Sequence, residues 1–244
     1  EIEEALLSEN IDIAVHSMKD VPTLLPAGLS IGAVVERHDP RDAFISNTGL
    51  TLAKLSEGSR VGTGSLRRAS QLLHHYPGIK IVSIRGNVDT RIRKLKEDGE
   101  FDAIVLAVAG LERMGLGEEI TEIISTDIML PAPGQGIVAI ECRGDDKETT
   151  NILKGINHTE TELAATSERA FLYRLGGDCN VPVGCNANLS GHRIKLSGVI
   201  SSPEGKVLIK KDASDSIECA GQLGEQLAEM ILEAGGNIFF SFIN

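Results

Sequence analysis

The sequence has few aromatic residues: Phe, Trp and Tyr make up 3% of its 244 residues, and tryptophan is absent. Proteins that bind single-stranded nucleic acid stack the bases on aromatic side chains, and their surfaces are basic. The shortage of aromatics, together with a net charge of −11, therefore argues against nucleic acid as a partner. No apolar run approaches the roughly 18 residues that span a bilayer, which argues against a membrane partner.

The chain also contains only four cysteines, too few for a disulfide scaffold, and this favours a reducing, cytoplasmic setting. Two of them, Cys179 and Cys185, flank Asn-Val-Pro-Val in the glycine-rich stretch RLGGDCNVPVGC. They could form a disulfide, half of a metal site, or include one reactive thiol. Zinc ligands usually come in pairs spaced C-x₂₋₄-C, so we expect no metal site. Cys179 could be a nucleophile, an attachment point or a small structural residue, whereas Cys185 precedes a predicted strand and is interpreted as a packed thiol.

Short apolar runs alternate with amphipathic stretches over the first two-thirds of the chain, a pattern that predicts an α/β fold. Several of these runs are apolar throughout, as buried parallel strands are. The predicted strands are 12–17, 30–35, 43–46, 60–63, 80–84, 103–108 and 136–142, and the predicted helices are 1–8, 51–56, 66–76, 88–97, 109–115 and 146–156.

The pattern changes after residue 157. A helix is predicted from a capping box, Thr159 with Glu162, to the pair Gly176-Gly177. Three alternating strands and a final helix follow, which predicts a small α+β domain with an antiparallel sheet.

Basic residues are concentrated in one segment. Residues 60–96 contain nine Lys or Arg and a single acid, Asp89, which gives this segment a net charge of +8 in an acidic chain. Such an island indicates a local anionic ligand.

Two stretches of this segment, VGTGSLRRASQLL and SIRGNVDTRIRKL, predict a strand, a glycine turn and a helix starting near Ser65 and near Asn87. A helix N-terminus at the carboxyl end of a strand favours an anion. Arginines are disfavoured in a first helical turn by roughly 0.3–1 kcal/mol, so their presence there indicates a bound anion. Arg67 and Arg68 lie in the first turn of the first helix, and Arg85 and Arg91 flank the start of the second. Solvated surface charge is the alternative interpretation.

The stretch HSMKDVP follows a predicted buried strand and ends at a proline. Its polar residues His16, Ser17, Lys19 and Asp20 therefore lie on a strand-end loop, where active residues of open α/β sheets are usually found. A carboxylate there, Asp20, could stabilise a cation or exchange a proton with a ligand, although strand-end loops are also commonly charged without a function.

Seven motifs together resemble the hydroxymethylbilane synthase, or porphobilinogen deaminase, family of tetrapyrrole synthesis. They occur in the order of the family and cover nearly the whole chain: DIAVHSMKDVP, ERHDPRDAF, VGTGSLRR, RGNVDTR, AIVLAVAGLERMGL, LPAPGQG and GGDCNVPVG. The resemblance implies a cytoplasmic enzyme that joins four porphobilinogens, with loss of ammonia, into hydroxymethylbilane. It also implies that the enzyme is a monomer.

The resemblance also implies roles for individual residues. Cys179 would carry a dipyrromethane cofactor through a thioether, and Asp20 would be the catalytic carboxylate that stabilises the cation formed on deamination. The acetate and propionate groups of the pyrroles would be held by cations and polar groups. The cofactor-binding set would be Ser17, Lys19, Asp20, Thr63, Ser65, Arg67, Arg68, Arg85, Gly86 and Asn87, and the substrate-binding set Arg67, Arg91, Arg113 and Gln135.

The family fold consists of two α/β domains that resemble periplasmic binding proteins around a cleft, plus a small α+β C-terminal domain with an antiparallel sheet. Mapped onto this sequence, domain 1 comprises 1–36 and 137–156, domain 2 comprises 42–130, and the cofactor-attachment domain comprises 157–244. The resemblance further implies that roughly the first sixty residues of the family precede Glu1. An inactive shortened form and a non-catalytic anion-binding protein are therefore the alternatives.

Overall fold

The computed structural model describes residues 1–176 and 182–238, which form three sheets flanked by helices. None of the helices in these two ranges is long and apolar enough to cross a membrane. The α-helices are α1 (Ile2–Leu7), α2 (Leu66–His75), α3 (Val88–Glu97), α4 (Val108–Arg113), α5 (Lys147–Lys154), α6 (Thr159–Arg174) and α7 (Ala220–Glu233). The strands are β1 (Ile13–Ser17), β2 (Leu29–Val34), β3 (Asp42–Ser46), β4 (Arg60–Gly62), β5 (Lys80–Val82), β6 (Ala103–Ala107), β7 (Glu122–Ile123), β8 (Val138–Arg143), β9 (Val183–Ser190), β10 (Arg193–Ser201) and β11 (Leu208–Ser216).

The first sheet has the order β1-β8-β2, and both pairings are antiparallel. The expectation of parallel strands is therefore wrong here: β8 returns from more than a hundred residues away and runs between β1 and β2 in the opposite direction. A bulge at Gly32 brings the backbone of β2 close to α5, since a Cβ there would lie 2.5 Å from Leu153 Cδ1.

The second sheet has the order β5-β4-β6-β3-β7. Its strands β5, β4 and β6 are parallel, as the apolar runs predict, whereas β3 and β7 run antiparallel. A separate core packs on each side of this sheet. Phe44 is buried in one of them and Leu106 in the other. The predicted helix at 51–56 is a 3₁₀ helix, Leu52–Lys54.

The third sheet is the antiparallel meander β11-β10-β9, covered by α6 and α7 as predicted. Phe171 and Leu227 lie at its core, and a Cβ on Gly198 would clash with both. The predicted capping box is wrong: His158 is the N-cap of α6, because its ring accepts a hydrogen bond from the Thr161 backbone N–H.

The α/β class and the antiparallel C-terminal sheet predicted from the sequence are both confirmed. The first sheet combines residues 13–34 with 138–143, the second lies within 42–123, and the third within 183–216. The domain boundaries at 36, 42, 130, 137 and 157 stay a prediction.

Candidate active site

Asp20 lies on a short turn that follows β1. The 3₁₀ helix Met18–Asp20 begins directly after Ser17, and the Val21 N–H closes it on the Met18 carbonyl at 3.1 Å. The Met18 N–H donates to the Ile137 carbonyl at 3.0 Å, while the Met18 side chain is buried. The turn is therefore anchored at its first residue and exposes Asp20 at its last.

A cleft beside this turn is lined by three parts of the chain: the end of β1 with the turn, the end of β6 with α4, and the residues just before β8. The Arg113 guanidinium at the end of α4 donates to the Gly136 carbonyl at 3.1 Å. The cleft thus brings together four of the predicted site residues: its lining is Ser17, Lys19, Ala107, Ala109, Gly110, Arg113, Gly134, Gln135, Gly136 and Ile137.

Lys19 is exposed to solvent but surrounded by protein within this cleft. Desolvation lowers the pKa of its ammonium group, and the nearby charge of Arg68 lowers it further, whereas Asp20 acts in the opposite direction. The pKa is therefore lowered mainly because protein surrounds the ammonium group, and the charges nearby act in both directions.

The first glycine turn begins α2 as the sequence predicts. Ser65 is the N-cap, and its hydroxyl accepts from the Arg68 N–H at 3.4 Å. Thr63 is buried: its N–H donates to the Val82 carbonyl and its hydroxyl accepts from the Ser65 N–H at 3.1 Å. Thr63 and Ser65 therefore shape the turn itself.

Arg67 and Arg68 lie in the first turn of α2, but the anion that they meet is a carboxylate of the chain. Both are buried against Asp42, which is fully buried at the start of β3. Arg67 Nη1 lies 2.7 Å from Asp42 Oδ2, and Arg68 Nε lies 3.0 Å from Asp42 Oδ1. Further contacts go to the carbonyls of Leu130 and Val105 and to Gln135 Oε1.

Asp42 is held as a charged group by this arrangement. Burial alone would raise the pKa of its carboxyl, but the charges of Arg67 and Arg68 and hydrogen bonds from Arg67 and Gln135 outweigh burial and lower the pKa to about 2. The predicted contact of these two arginines with a ligand stays a prediction.

Gln135 joins this buried network to the residues that precede β3. Its amide Nε2 donates to the Pro40 carbonyl at 2.6 Å and to Asp42 Oδ1 at 3.0 Å, while its Oε1 accepts from Arg67 at 3.4 Å. The predicted substrate-binding residue Gln135 thus links the segment before β8 to the start of β3, and its side chain is almost fully buried.

The second buried ion pair, Arg37 with Glu168, was missed by the sequence reasoning. Arg37 Nη1 lies 2.6 Å from Glu168 Oε1, and the carboxylate also accepts from the backbone N–H groups of Gly134 and Ala187. A signal was present: Glu168 is spaced four residues after Ala164 and three before Phe171, on the apolar face of α6.

The second glycine turn begins α3 with Asn87 as the N-cap, whose side chain accepts from the Thr90 N–H at 3.0 Å. Gly86 has a φ of 122°, a conformation that favours glycine. Its carbonyl accepts from Arg91 Nε at 2.6 Å. The two turns are neighbours, because a Cβ on Gly64 would lie 3.1 Å from the Ile84 carbonyl oxygen, next to the exposed Arg85.

Four cations around these turns and the cleft differ from Arg67 and Arg68 in having no carboxylate partner. Within residues 1–176 and 182–238, no Asp or Glu oxygen lies within 4.0 Å of them. They are Lys19, Arg85, Arg91 and Arg113. Lys19 is next to Asp20 in the chain and lines the cleft with Arg113, whereas Arg85 and Arg91 lie at the second glycine turn. Cations without a carboxylate partner suit a ligand that carries several acid groups.

Cys179 lies outside the described residues, so its structural role stays a prediction. Cys185 is fully buried in β9, which confirms the packed thiol, and desolvation raises the pKa of that thiol well above its ordinary value.

Comparisons with known proteins identify the family. Residues 1–151 match the family model described as "Porphobilinogen deaminase, dipyromethane cofactor binding domain", and residues 162–233 match "Porphobilinogen deaminase, C-terminal domain". The porphobilinogen deaminase of Trichlorobacter lovleyi is 49% identical over 236 residues, which cover 97% of this chain and 75% of the relative. That of Brevibacillus brevis is 50% identical, with 96% and 75% covered. The chain belongs to the porphobilinogen deaminase family.

Solved structures with a similar arrangement include the methionine binding protein MetQ, with 17% identity, a TM-score of 0.42, and coverage of 65% of this chain and 75% of that protein.

Proposed function

We propose that this chain is a transferase that joins four porphobilinogen molecules, with loss of ammonia, into hydroxymethylbilane in tetrapyrrole and haem biosynthesis. The observation that carries the proposal is a set of cations without a carboxylate partner among the described residues: Lys19, next to the exposed Asp20 in the chain, Arg113 in the same cleft as Lys19, and Arg85 and Arg91 at the second glycine turn. Membership of the porphobilinogen deaminase family supports it.

The residues present fit a dipyrromethane cofactor. Each pyrrole unit carries an acetate and a propionate, and cations without carboxylate partners are suited to such acids. When bound through Cys179, the cofactor supplies the pyrrole end to which the first substrate is added. The proposed holding residues are Ser17, Lys19, Asp20, Thr63, Ser65, Arg67, Arg68, Arg85, Gly86 and Asn87, with Arg67, Arg91, Arg113 and Gln135 on the substrate.

Asp20 is the proposed catalytic residue. Loss of ammonia breaks the C–N bond of porphobilinogen and leaves a positive charge shared between the methylene carbon and the pyrrole nitrogen. A carboxylate that accepts a hydrogen bond from the pyrrole N–H stabilises this charge as it develops. The anchored Met18 turn fixes the backbone from which Asp20 extends.

The intact mass of the purified chain tests the cofactor directly, with Cys179→Ser as the control. An excess equal to one dipyrromethane, absent from the control, is the expected result. An unmodified mass for the wild-type chain would contradict cofactor attachment and leave the inactive shortened form as the better interpretation.

Replacement of Asp20 by Asn tests the reaction. We expect ammonia release from porphobilinogen to be nearly abolished while binding of a simple dicarboxylate is preserved. Unchanged ammonia release would refute the role of Asp20. Dicarboxylate binding by the wild-type chain without any ammonia release would instead favour the alternative, a non-catalytic anion-binding protein.

We also propose a cytoplasmic location and a monomeric state. The low cysteine content supports the location, and the family resemblance supports the monomer. Size-exclusion chromatography with light scattering would test the monomer, and a mass of two chains would contradict it.

A further inference from the structure

Arg169 crosses from the last domain to the loop that carries Asp20. It lies on α6, and its guanidinium Nη2 donates to the carbonyls of Pro22 at 2.7 Å and Thr23 at 3.0 Å. Its Nη1 donates to the Val21 carbonyl at 3.3 Å and contacts Met18 Sδ at 3.7 Å. One side chain thus binds residues on both sides of Asp20.

These contacts hold the end of the turn together with the Val21 side chain, which is buried in the cluster that includes Met18. The Met18 N–H is held by Ile137, but Pro22 has no N–H to donate. In the part of the chain that the structure describes, the three carbonyls bound by Arg169 accept from no other donor. Loss of the guanidinium would therefore release the segment that follows Asp20.

The helix that bears Arg169 is itself firmly placed. The neighbouring Glu168 is fully buried and accepts from the Gly134 N–H at 2.6 Å. Gly134 in turn packs against Met18, since a Cβ there would lie 2.6 Å from Met18 Cγ. The same helix ends at Arg174, five positions before Cys179 in the sequence.

We propose that Arg169 is a positioning residue that sets the place of the Asp20 carboxylate during the reaction. It acts on the backbone of the turn and not on the substrate. The inference rests on the proposed function, in which Asp20 stabilises the cation formed on deamination.

Kinetics of Arg169→Gln and Arg169→Lys on the whole chain test the proposal. We expect Arg169→Gln to lower kcat by roughly 10–100-fold, because a small displacement of a reacting group has an effect of this size, with KM little changed. Arg169→Lys should recover part of kcat, since an ammonium group can donate to the same carbonyls without the fork of a guanidinium. The matched control is Arg174→Gln: Arg174 lies on the same helix and contacts Glu229 on α7.

A double-mutant cycle with Asp20→Asn separates positioning from general damage to the fold. If Arg169 acts through Asp20, Arg169→Gln lowers ammonia release in the wild-type background and has no further effect in the Asp20→Asn background. An equal loss in both backgrounds would overturn the proposal. If Arg169→Gln does not fold, the same cycle with Arg169→Lys tests whether Arg169 acts through Asp20.

Hydrogen exchange provides a readout that does not depend on turnover. Peptides that cover residues 18–25 should exchange faster in Arg169→Gln than in the wild type or in Arg174→Gln. Unchanged exchange overturns the positioning role. A wild-type chain that releases no ammonia but shows this difference refutes the proposed function and leaves the restraint on the turn in place.

Discussion

The helices α2 and α3 begin in the same way and meet opposite electrostatic surroundings. Each follows a parallel strand and a glycine turn, and each has a side-chain N-cap, Ser65 in one and Asn87 in the other. The arginines of the first helix, Arg67 and Arg68, are buried against Asp42. Arg91 of the second remains without a carboxylate partner among the described residues.

The difference shows that a basic helix start does not by itself identify a ligand site. The partner of Arg67 and Arg68 lies about 25 residues away in the sequence and reaches them through β3. At the second start, Asp89 lies in the first turn, but no Asp or Glu oxygen of the described residues lies within 4.0 Å of the Arg91 guanidinium. The arginines of the first turn are suited to hold α2 against β3, and the arginine of the second is suited to bind a ligand.

The largest effect is expected from Asp42→Asn. This substitution leaves two buried guanidinium groups without their counter-charge, and we expect it to lower the free energy of unfolding by about 3–5 kcal/mol. Urea unfolding would measure it. The control is Asp89→Asn at the second start, where an exposed acid in the first helical turn contributes about 0.3–1 kcal/mol. Equal losses in the two variants would contradict the contrast between the two helices.

Acid should remove part of the stability of the wild type but not of Asp42→Asn. The pKa of Asp42 is about 2 in the folded chain and 3.8 ordinarily, so the unfolded chain binds this proton more tightly. The contribution, about 2 kcal/mol, is present above about pH 4 and is lost as the pH falls towards about 2. Urea unfolding at pH 5 and pH 3 would show that the difference in the free energy of unfolding between the wild type and Asp42→Asn is smaller at the lower pH. A difference that stays constant would refute the lowered pKa.

The two N-caps should behave alike, because capping is what the two helix starts share. We expect Ser65→Ala and Asn87→Ala each to lower the free energy of unfolding by about 1 kcal/mol, since each loses a side-chain acceptor for a backbone N–H. Thermal unfolding would compare them, with Ser83→Ala on the preceding exposed segment as the control. A loss at only one of the two positions would show that one cap is not formed.

The smallest effect on stability is expected from Arg91→Gln, within about 0.5 kcal/mol, because the side chain has no buried ion pair to lose. Binding should respond instead: a charge-assisted hydrogen bond is worth about 1.5–3 kcal/mol, which corresponds to a rise in KM for porphobilinogen of roughly 10–100-fold. Steady-state kinetics beside thermal unfolding would measure both. A destabilised variant with an unchanged KM would show that Arg91 contributes to the fold and not to binding of porphobilinogen.

Most elements of the fold could be predicted from local patterns. The helix at 88–97 was predicted to the residue, and the boundaries of β2, β4 and β6 differ by a residue or two. Strand direction was less accessible, because an apolar run looks the same in a parallel strand and in a buried antiparallel one. The cap of α6 was misplaced by one residue, since a histidine ring can accept the bond that a hydroxyl usually takes.

The candidate site could be predicted in its residue types but not in its pairings. Asp20, Lys19 and the glycine turns follow from position in the sequence alone. The burial of Glu168 and Asp42 required the tertiary structure, because each charge is stable in the core only with partners from distant segments.

The sequence by itself therefore determined the α/β class, the two capped helix starts and the concentration of positive charge, all of which depend on neighbouring residues. The tertiary structure alone decided which of those charges are neutralised inside the protein and which have no carboxylate partner among the described residues. The reason is physical: the energy of a charge depends on burial and on the distance to its counter-charge, and both are set by segments that meet only on folding.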